Sequence, residues 1–246
     1  MRELDSIAVV GAGRLGTALA AAMRAAGLSV TGPLGRDPQM DGATSLVLLC
    51  VPDGEIAAAA ARVGGRDGFP LVGHCSGATT LAPLAGREAL GLHPLMTVPA
   101  GSPPEAFHGA AAAVDGSTPR ALAAAEALAR ALGMRPMHVA PEDRAAYHAA
   151  ASIASNFVVT LEAAAERLAA TAGVDRAALA PLVRAAVETW AELGPERALT
   201  GPIARGDEAT VARQREALVE RAPDLLPLFD ALAEATRALA RAGAPA

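Results

Sequence analysis

Along the first part of the chain, short apolar runs alternate with alanine-rich stretches of helical period. "SIAVVGAG", "LSVTGPLGR", "TSLVLLCVPD", "FPLVGHCSG", "ALGLHPLMT", "GAAAAVDGS" and "MRPMHVA" each read as a strand. "RLGTALAAAMRAAG" reads as a helix closed by Gly27, and "TPRALAAAEALARALG" as one with Thr118 at its N-cap and Pro119 in its first turn. Strands that alternate with helices predict a parallel, doubly wound α/β sheet. From Pro141 onward the strand signals stop. "PEDRAAYHAAASIASNFVVTLEAAAERLAATAG" predicts a long helix ended by Gly173, and "DRAALAPLVRAAVETWAELG" another, interrupted early by Pro181. Two more helices follow the loop "GPERALTGPIARGD", with breaks at Pro223 and Pro227. The pattern therefore divides the chain into an α/β domain, 1–140, and an all-α domain, 141–246.

One stretch is short. Nine residues separate Arg36 from Leu46, too few for the helix and strand a full dinucleotide fold places there. The sheet is expected to be trimmed after its second strand. Pro33 fits poorly inside a central strand.

Composition narrows the function classes. The chain of 246 residues carries a net charge of −5, against the basic face that nucleic acid requires. No apolar run approaches the ~18 residues that span a bilayer, and the first residues lack the features of a signal peptide. Cys50 and Cys75 adjoin apolar strands and fit reduced thiols, so a cytoplasmic setting is expected. All 21 basic residues are arginine; the chain has no lysine.

The chemistry starts at "VVGAGRLG", where Gly11, Gly13 and Gly16 have G-x-G-x-x-G spacing between an apolar strand and a helix. In a Rossmann-like fold the first glycine makes the tight turn and the second admits a pyrophosphate. The third packs helix against strand, and the helix N-terminus faces the phosphate charge. Ala12, Arg14 and Leu15 complete this loop. About 20 residues on, where a carboxylate would hold the ribose of NAD, stands Arg36. A guanidinium attracts a 2′-phosphate, which favours NADP; the neighbouring Asp37 keeps NAD open. Val51, Pro52 and Asp53 end the third strand on the carboxyl edge, where they border the cofactor or, for Asp53, cap the helix that begins near Glu55.

His74 and His93 stand at strand ends on that same edge. Reduction of C=O or C=N needs a proton source beside the hydride donor, and histidine suits the task near neutral pH. Both histidines admit a structural reading too, while His108 and His138 read as structural. Ser76 and Thr79 contact phosphate or substrate, or cap a helix after Gly77. Cys75 beside His74 is a poor nucleophile–base pair, because neighbours on a strand face opposite sides. No close ligand spacing suggests a metal.

The first long helix carries an odd stripe. His148, Ser152, Ser155 and Asn156 recur at helical spacing, with no charged residue between Arg144 and Glu162. Further on, Arg205 and Asp207 occupy a Gly/Pro-bounded loop. Arg205 is placed to clamp a substrate carboxylate or to bridge a dimer, and Asp207 to cap the next helix.

Taken in order, "VVGAGRLG", "LLCVPD", "HCSGA", "GLHPLMT", "YHAAASIASNF" and "LTGPIARGD" resemble, over essentially the whole chain, a bacterial family in which a Rossmann-like NADP-oxidoreductase domain precedes a helical domain of the type called domain of unknown function 2520. More distantly, the layout is similar to the 6-phosphogluconate dehydrogenase-like group, which includes β-hydroxyacid dehydrogenases, ketopantoate reductase, pyrroline-5-carboxylate reductase and prephenate dehydrogenase. That resemblance implies a nicotinamide cofactor in an interdomain cleft, a small carboxylated keto, imine or hydroxy substrate, and a homodimer built through the helical domain. "GLHPLMT" resembles the His-Pro-Met segment of prephenate dehydrogenases and implies a catalytic His93. Asn156 matches the asparagine of the Lys-x-x-x-Asn helix of β-hydroxyacid dehydrogenases, but Ser152 stands where the lysine would be. Either His148 or His93 replaces that lysine, or the reaction is lost and a non-catalytic dinucleotide-binding protein remains. The stripe His148–Ser152–Asn156 is expected to face the nicotinamide, with Tyr147 near its rim, or else to form a polar seam.

Overall fold

The computed structural model describes residues 4, 6–38, 43–63 and 70–243. Among them, β1 (Ile7–Val10), β2 (Val30–Leu34), β3 (Leu46–Leu49), β4 (Leu71–His74), β5 (Ala89–Leu95), β6 (Ala111–Gly116) and β7 (Arg135–His138) form one sheet in the order β2-β1-β3-β4-β5-β6-β7. Helix α1 (Arg14–Ala25) joins β1 to β2, α2 (Ile56–Arg62) follows β3, and α3 (Pro119–Ala131) joins β6 to β7. The alternation in the strands explains the two layers. Ile7, Val9, Leu46 and Leu48 pack on one side with Leu19 and Met23 of α1 and Leu128 of α3. Ala8, Val10, Val47 and Leu49 pack on the other with Ile56 of α2. Both faces are dry, as a doubly wound sheet requires.

The first five strands are parallel, but β6 runs antiparallel to β5 and is itself parallel to β7. The sheet is thus doubly wound and dominantly parallel as expected, with its antiparallel step between β5 and β6. The chain between Leu95 and Ala111 holds only a short 3-10 turn, Pro104–Phe107, and no α-helix to make a parallel crossover. On the opposite side β2 is an edge strand, in line with the expected trimming; residues 39–42 of the short stretch lie outside the described residues. Pro33 is accommodated because β2 pairs only with β1, and the register slips from Ala8↔Thr31 to Val10↔Leu34 across it.

Contacts divide the chain into two compact units, Met1–Ser155 and Asn156–Ala246. The first therefore keeps α4 (Arg144–Ser152), although strand signals stop at 140. The predicted long helix is not continuous. After α4 the chain makes a π-helical turn, Ile153–Phe157, before α5 (Val158–Ala170). Ser152 Oγ donates to the His148 carbonyl at 3.1 Å and Ser155 Oγ to the Ala151 carbonyl at 2.7 Å, competing for acceptors of the helical ladder. A wider turn advances the chain by an extra residue, so Asn156 does not fall one α-turn below Ser152.

In the second unit, α6 (Arg176–Leu193) continues through Pro181 rather than ending there; proline lacks the N–H, so one donor is lost in its second turn. A short α7 (Pro195–Ala198) leads to α8 (Glu208–Arg221), capped by the Asp207 carboxylate, which accepts from Thr210 N at 3.0 Å. Helix α9 (Leu226–Ala242) follows, with Pro227 in its first turn. Bidentate pairs Arg215–Asp230 and Arg237–Glu208 tie α8 to α9. Among the described residues no helix is long and apolar enough to cross a membrane.

Candidate functional site

The β1–α1 turn is built as its glycines predict. Gly11 has φ +111°, and a methyl there would lie 2.2 Å from the Cys50 carbonyl oxygen. A methyl at Gly16 would lie 2.0 Å from the Gly11 carbonyl oxygen, so helix and strand could not close. Gly13, the N-cap of α1, differs: nothing of the protein lies within 4 Å of where its Cβ would be. The first and third glycines are demanded by the protein itself, whereas the second opens onto space.

Two cavities meet at this turn. One, of about 590 Å³, is lined on one side by Gly11, Ala12 and Gly13, and on the others by Arg36, by Val51 and Pro52, and by Arg62 of α2. Arg62 was not singled out by sequence; its signal is a lone cation at the end of the helix after β3. It approaches Asp37 at 4.0 Å, a solvent-exposed pair of little energetic weight. The second cavity, of about 440 Å³, is lined by Gly13, Arg14 and Leu15, by Cys50, Asp53 and Ser76, and by His93 and His148. Gly13, Cys50 and Val51 belong to both. This is the topological switch point, where α1 leads to β2 on one side of β1 and β3 lies on the other.

The floor of the second cavity is a hydrogen-bonded web. Asp53 accepts from Ser76 Oγ at 2.7 Å and from Thr79 Oγ1 at 3.0 Å, and Thr79 N donates to Ser76 Oγ at 2.8 Å. The expected cap at α2 is therefore absent: Asp53 ties the loop after β3 to the loop after β4, and α2 starts without a side-chain cap. Nor does an α-helix follow Gly77: the next element is a short 3-10 turn, Ala82–Leu84, and Ser76 Oγ accepts from Thr79 N ahead of it. His74 is fully buried, accepting from Ser76 N at Nδ1 and facing the Thr80 carbonyl with Nε2 at 3.0 Å. Burial above all lowers its pKa, so it is a neutral structural residue.

His93 is different. Its Nδ1 lies 2.7 Å from Tyr147 Oη of α4, its ring lies 6.1 Å from that of His148, and both imidazoles press on Gly77. A methyl at Gly77 would lie 2.8 Å from His93 Nε2 and 2.8 Å from His148 Cδ2. The need for glycine there was not legible in sequence. Burial first, then repulsion from His148 and Arg144, lowers the His93 pKa to about 4. Burial raises that of Tyr147. At neutral pH the pair is thus an uncharged imidazole hydrogen-bonded to an uncharged phenol.

Beneath it lies Arg144, 1% exposed. Its Nη2 donates to Asp115 Oδ2 at 3.3 Å, while Nε and Nη1 are buried without a hydrogen-bond partner among the described residues. The guanidinium reaches over Gly91, which pairs with Asp115 across β5 and β6. Sequence gave no hint of this burial, since an arginine at a helix start normally faces water.

Of the other sequence candidates, Ser152 is spent on its own helix. Asn156 opens the second unit and Arg205 lies exposed in that unit's loop before Asp207. His138 pairs with Glu126 at 3.1 Å and His108 packs beside Gly133, both outside the two cavities, as structural residues would. No group of three metal-ligating side chains occurs among the described residues.

No curated protein matches the sequence significantly. Solved structures do match its fold. A Bacteroides fragilis protein provisionally described as an NADP oxidoreductase is 22% identical, with 96% of this chain and 99% of that one covered at a TM-score of 0.83. A Thermotoga maritima protein is also 22% identical over 96% of this chain and 98% of its own, at 0.74. An imine reductase from Streptomyces aurantiacus is 18% identical over 98% and 96%, at 0.63. All share a Rossmann-like unit followed by a helical one, a fold that hosts many chemistries. The sequence itself is matched over residues 110–236, just over half its length, by the family described as Domain of unknown function (DUF2520), and the chain belongs to that family.

Proposed function

We propose that this protein is an NADP-dependent oxidoreductase that moves a hydride to or from a small carboxylated keto, imine or hydroxy compound. One observation carries the reading: two cavities join at the open face of Gly13, one beside two arginines and the other beside two histidines. A dinucleotide has that form, with a phosphorylated ribose at one end, a pyrophosphate in the middle and a redox ring at the other. Arg36 and Arg62 would hold the 2′-phosphate, and the N-terminus of α1 the pyrophosphate. The nicotinamide, when bound, supplies or accepts the hydride.

The chain's own residues handle the proton. With Tyr147 Oη–H donating to His93 Nδ1, the imidazole carries its proton on Nε2, beside Gly77 and the cavity. His93 passes that proton to the substrate heteroatom as Tyr147 refills Nδ1, so the imidazole stays neutral throughout. Arg144 below stabilises the phenolate left behind; the reverse sequence serves oxidation. His148 forms the cavity wall and orients the heteroatom. This relay takes the place of the absent lysine.

A homodimer through the helical unit is supported by its uncovered apolar side chains: Val159, Leu182 and Trp190 are 70%, 68% and 55% exposed. Light scattering of the purified protein tests the dimer. NADPH consumption across a panel of keto and imino acids tests the activity. Turnover lost in His93→Asn and Tyr147→Phe supports the relay; NADPH binding without turnover on any substrate would indicate a non-catalytic dinucleotide-binding protein.

A further inference from the structure

Cys50 and Cys75 follow the last residues of β3 and β4, and because Leu49 pairs with His74 the two cysteines are next in register. Their sulfurs lie 3.7 Å apart in an S–H···S contact, and both side chains line the histidine cavity. Neighbouring strands stand ~4.8 Å apart, inside the ~4.4–6.8 Å Cα window of a disulfide. Cys50 is also the residue on which the glycine turn rests. Its carbonyl sits against Gly11, and its Cβ is 3.0 Å from the position a Gly16 methyl would take. We propose that Cys50 and Cys75 are a peroxide-oxidisable dithiol, whose disulfide distorts the β1–α1 turn and weakens nucleotide binding.

The two sulfurs have different roles. Cys75 is buried, and its contact with Cys50 followed by burial holds its pKa well up, so it waits as a thiol. Cys50 is half-buried, lines both cavities and meets a small oxidant first. Its thiolate attacks one peroxide oxygen, the O–O bond breaks, and the departing hydroxide takes a proton from solvent to become water. Cys75 sulfur then attacks the sulfenic acid on Cys50; the S–O bond breaks, the S–S bond forms, and the Cys75 proton leaves with the oxygen as a second water. Two thiols are oxidised by two electrons and one hydrogen peroxide is reduced to two waters. To bond, the sulfurs must close from 3.7 Å to ~2.05 Å. The shift draws Cys50 away from the turn it supports. By linkage, a nucleotide that favours the open turn also disfavours the bridge, and one lying in the cavities that Cys50 lines shields its sulfur from peroxide.

The nucleotide half of this inference rests on the proposed cofactor site; the bridge does not. The full-length protein is treated with hydrogen peroxide, with and without NADPH, then alkylated and weighed. The expected result, in peroxide-treated samples without nucleotide, is a mass two hydrogens below the reduced chain with neither cysteine alkylated, reversed by dithiothreitol, reached more slowly with NADPH, and absent in Cys50→Ser. NADPH affinity by calorimetry is expected to fall roughly tenfold in the bridged protein and to return on reduction. Dithiothreitol-resistant addition of oxygen with no bridge, or equal affinity before and after bridging, overturns the inference. If the reduced protein bridges reversibly yet binds no NADPH, the cofactor reading and the control of binding both fall, and the dithiol alone stands.

Discussion

His93 should make the α/β unit sensitive to acid, by an amount the site fixes. In the unfolded chain a histidine titrates near ~6.5, whereas in the fold His93 titrates at about 4. Between these values the unfolded chain binds the extra proton, so stability is complete above pH ~6.5 and is lost as pH falls through the folded value. Between pH 7.5 and 4.5 the loss works out at ~2.5 kcal/mol, reduced to ~2 kcal/mol because the ring is partly solvated. His93→Asn removes this share and leaves an amide to bond Tyr147. His74, also lowered by burial, contributes equally to both proteins and cancels. The assay is urea unfolding at the two pH values, read from methyl resonances of Leu48 and Leu71, which report on the sheet alone. The variant should lose ~2 kcal/mol less than wild type on acidification. An identical loss in both would refute the placement of a neutral His93 in that pocket.

Other outcomes follow from single contacts. Arg144→Met should cost under ~1 kcal/mol, since it removes two unpartnered buried donors, yet raise the His93 pKa, read by imidazole NMR. Gly77→Ala, whose methyl would meet His93 Nε2 and His148 Cδ2 at 2.8 Å, should displace both imidazoles and cut turnover roughly tenfold, and also lower the melting temperature because His93 is held by Tyr147. Arg36→Ala and Arg62→Ala should each lower the NADPH-over-NADH affinity ratio several-fold; unchanged ratios would remove both from the phosphate end. Gly11→Ala, whose methyl meets the Cys50 carbonyl, should lower the melting temperature severely.

The strands were legible because their short, continuous apolar runs are bounded by glycine and proline, and so was the β1–α1 turn. Strand direction was not: "GAAAAVDGS" has the same pattern whichever way it runs, and only the missing crossover helix decides. The histidine stripe was legible up to Ser152, but serine hydroxyls that take helical acceptors, and so widen the turn, leave no periodic trace. Likewise the neutrality of His93, the burial of Arg144 and the closeness of Cys50 to Cys75 depend on which strands become neighbours. That information lies in the topology rather than in any local run of residues.

The central claim is that a dinucleotide fills the space left at Gly13. Calorimetric titration of NADPH into wild type and Gly13→Ala tests it most directly, because a methyl there touches no protein atom and leaves folding intact. Saturable one-to-one binding by wild type, weakened roughly tenfold or more in the variant at unchanged melting temperature, is the expected result. No heat at millimolar nucleotide, or equal affinity in the two proteins, would contradict it.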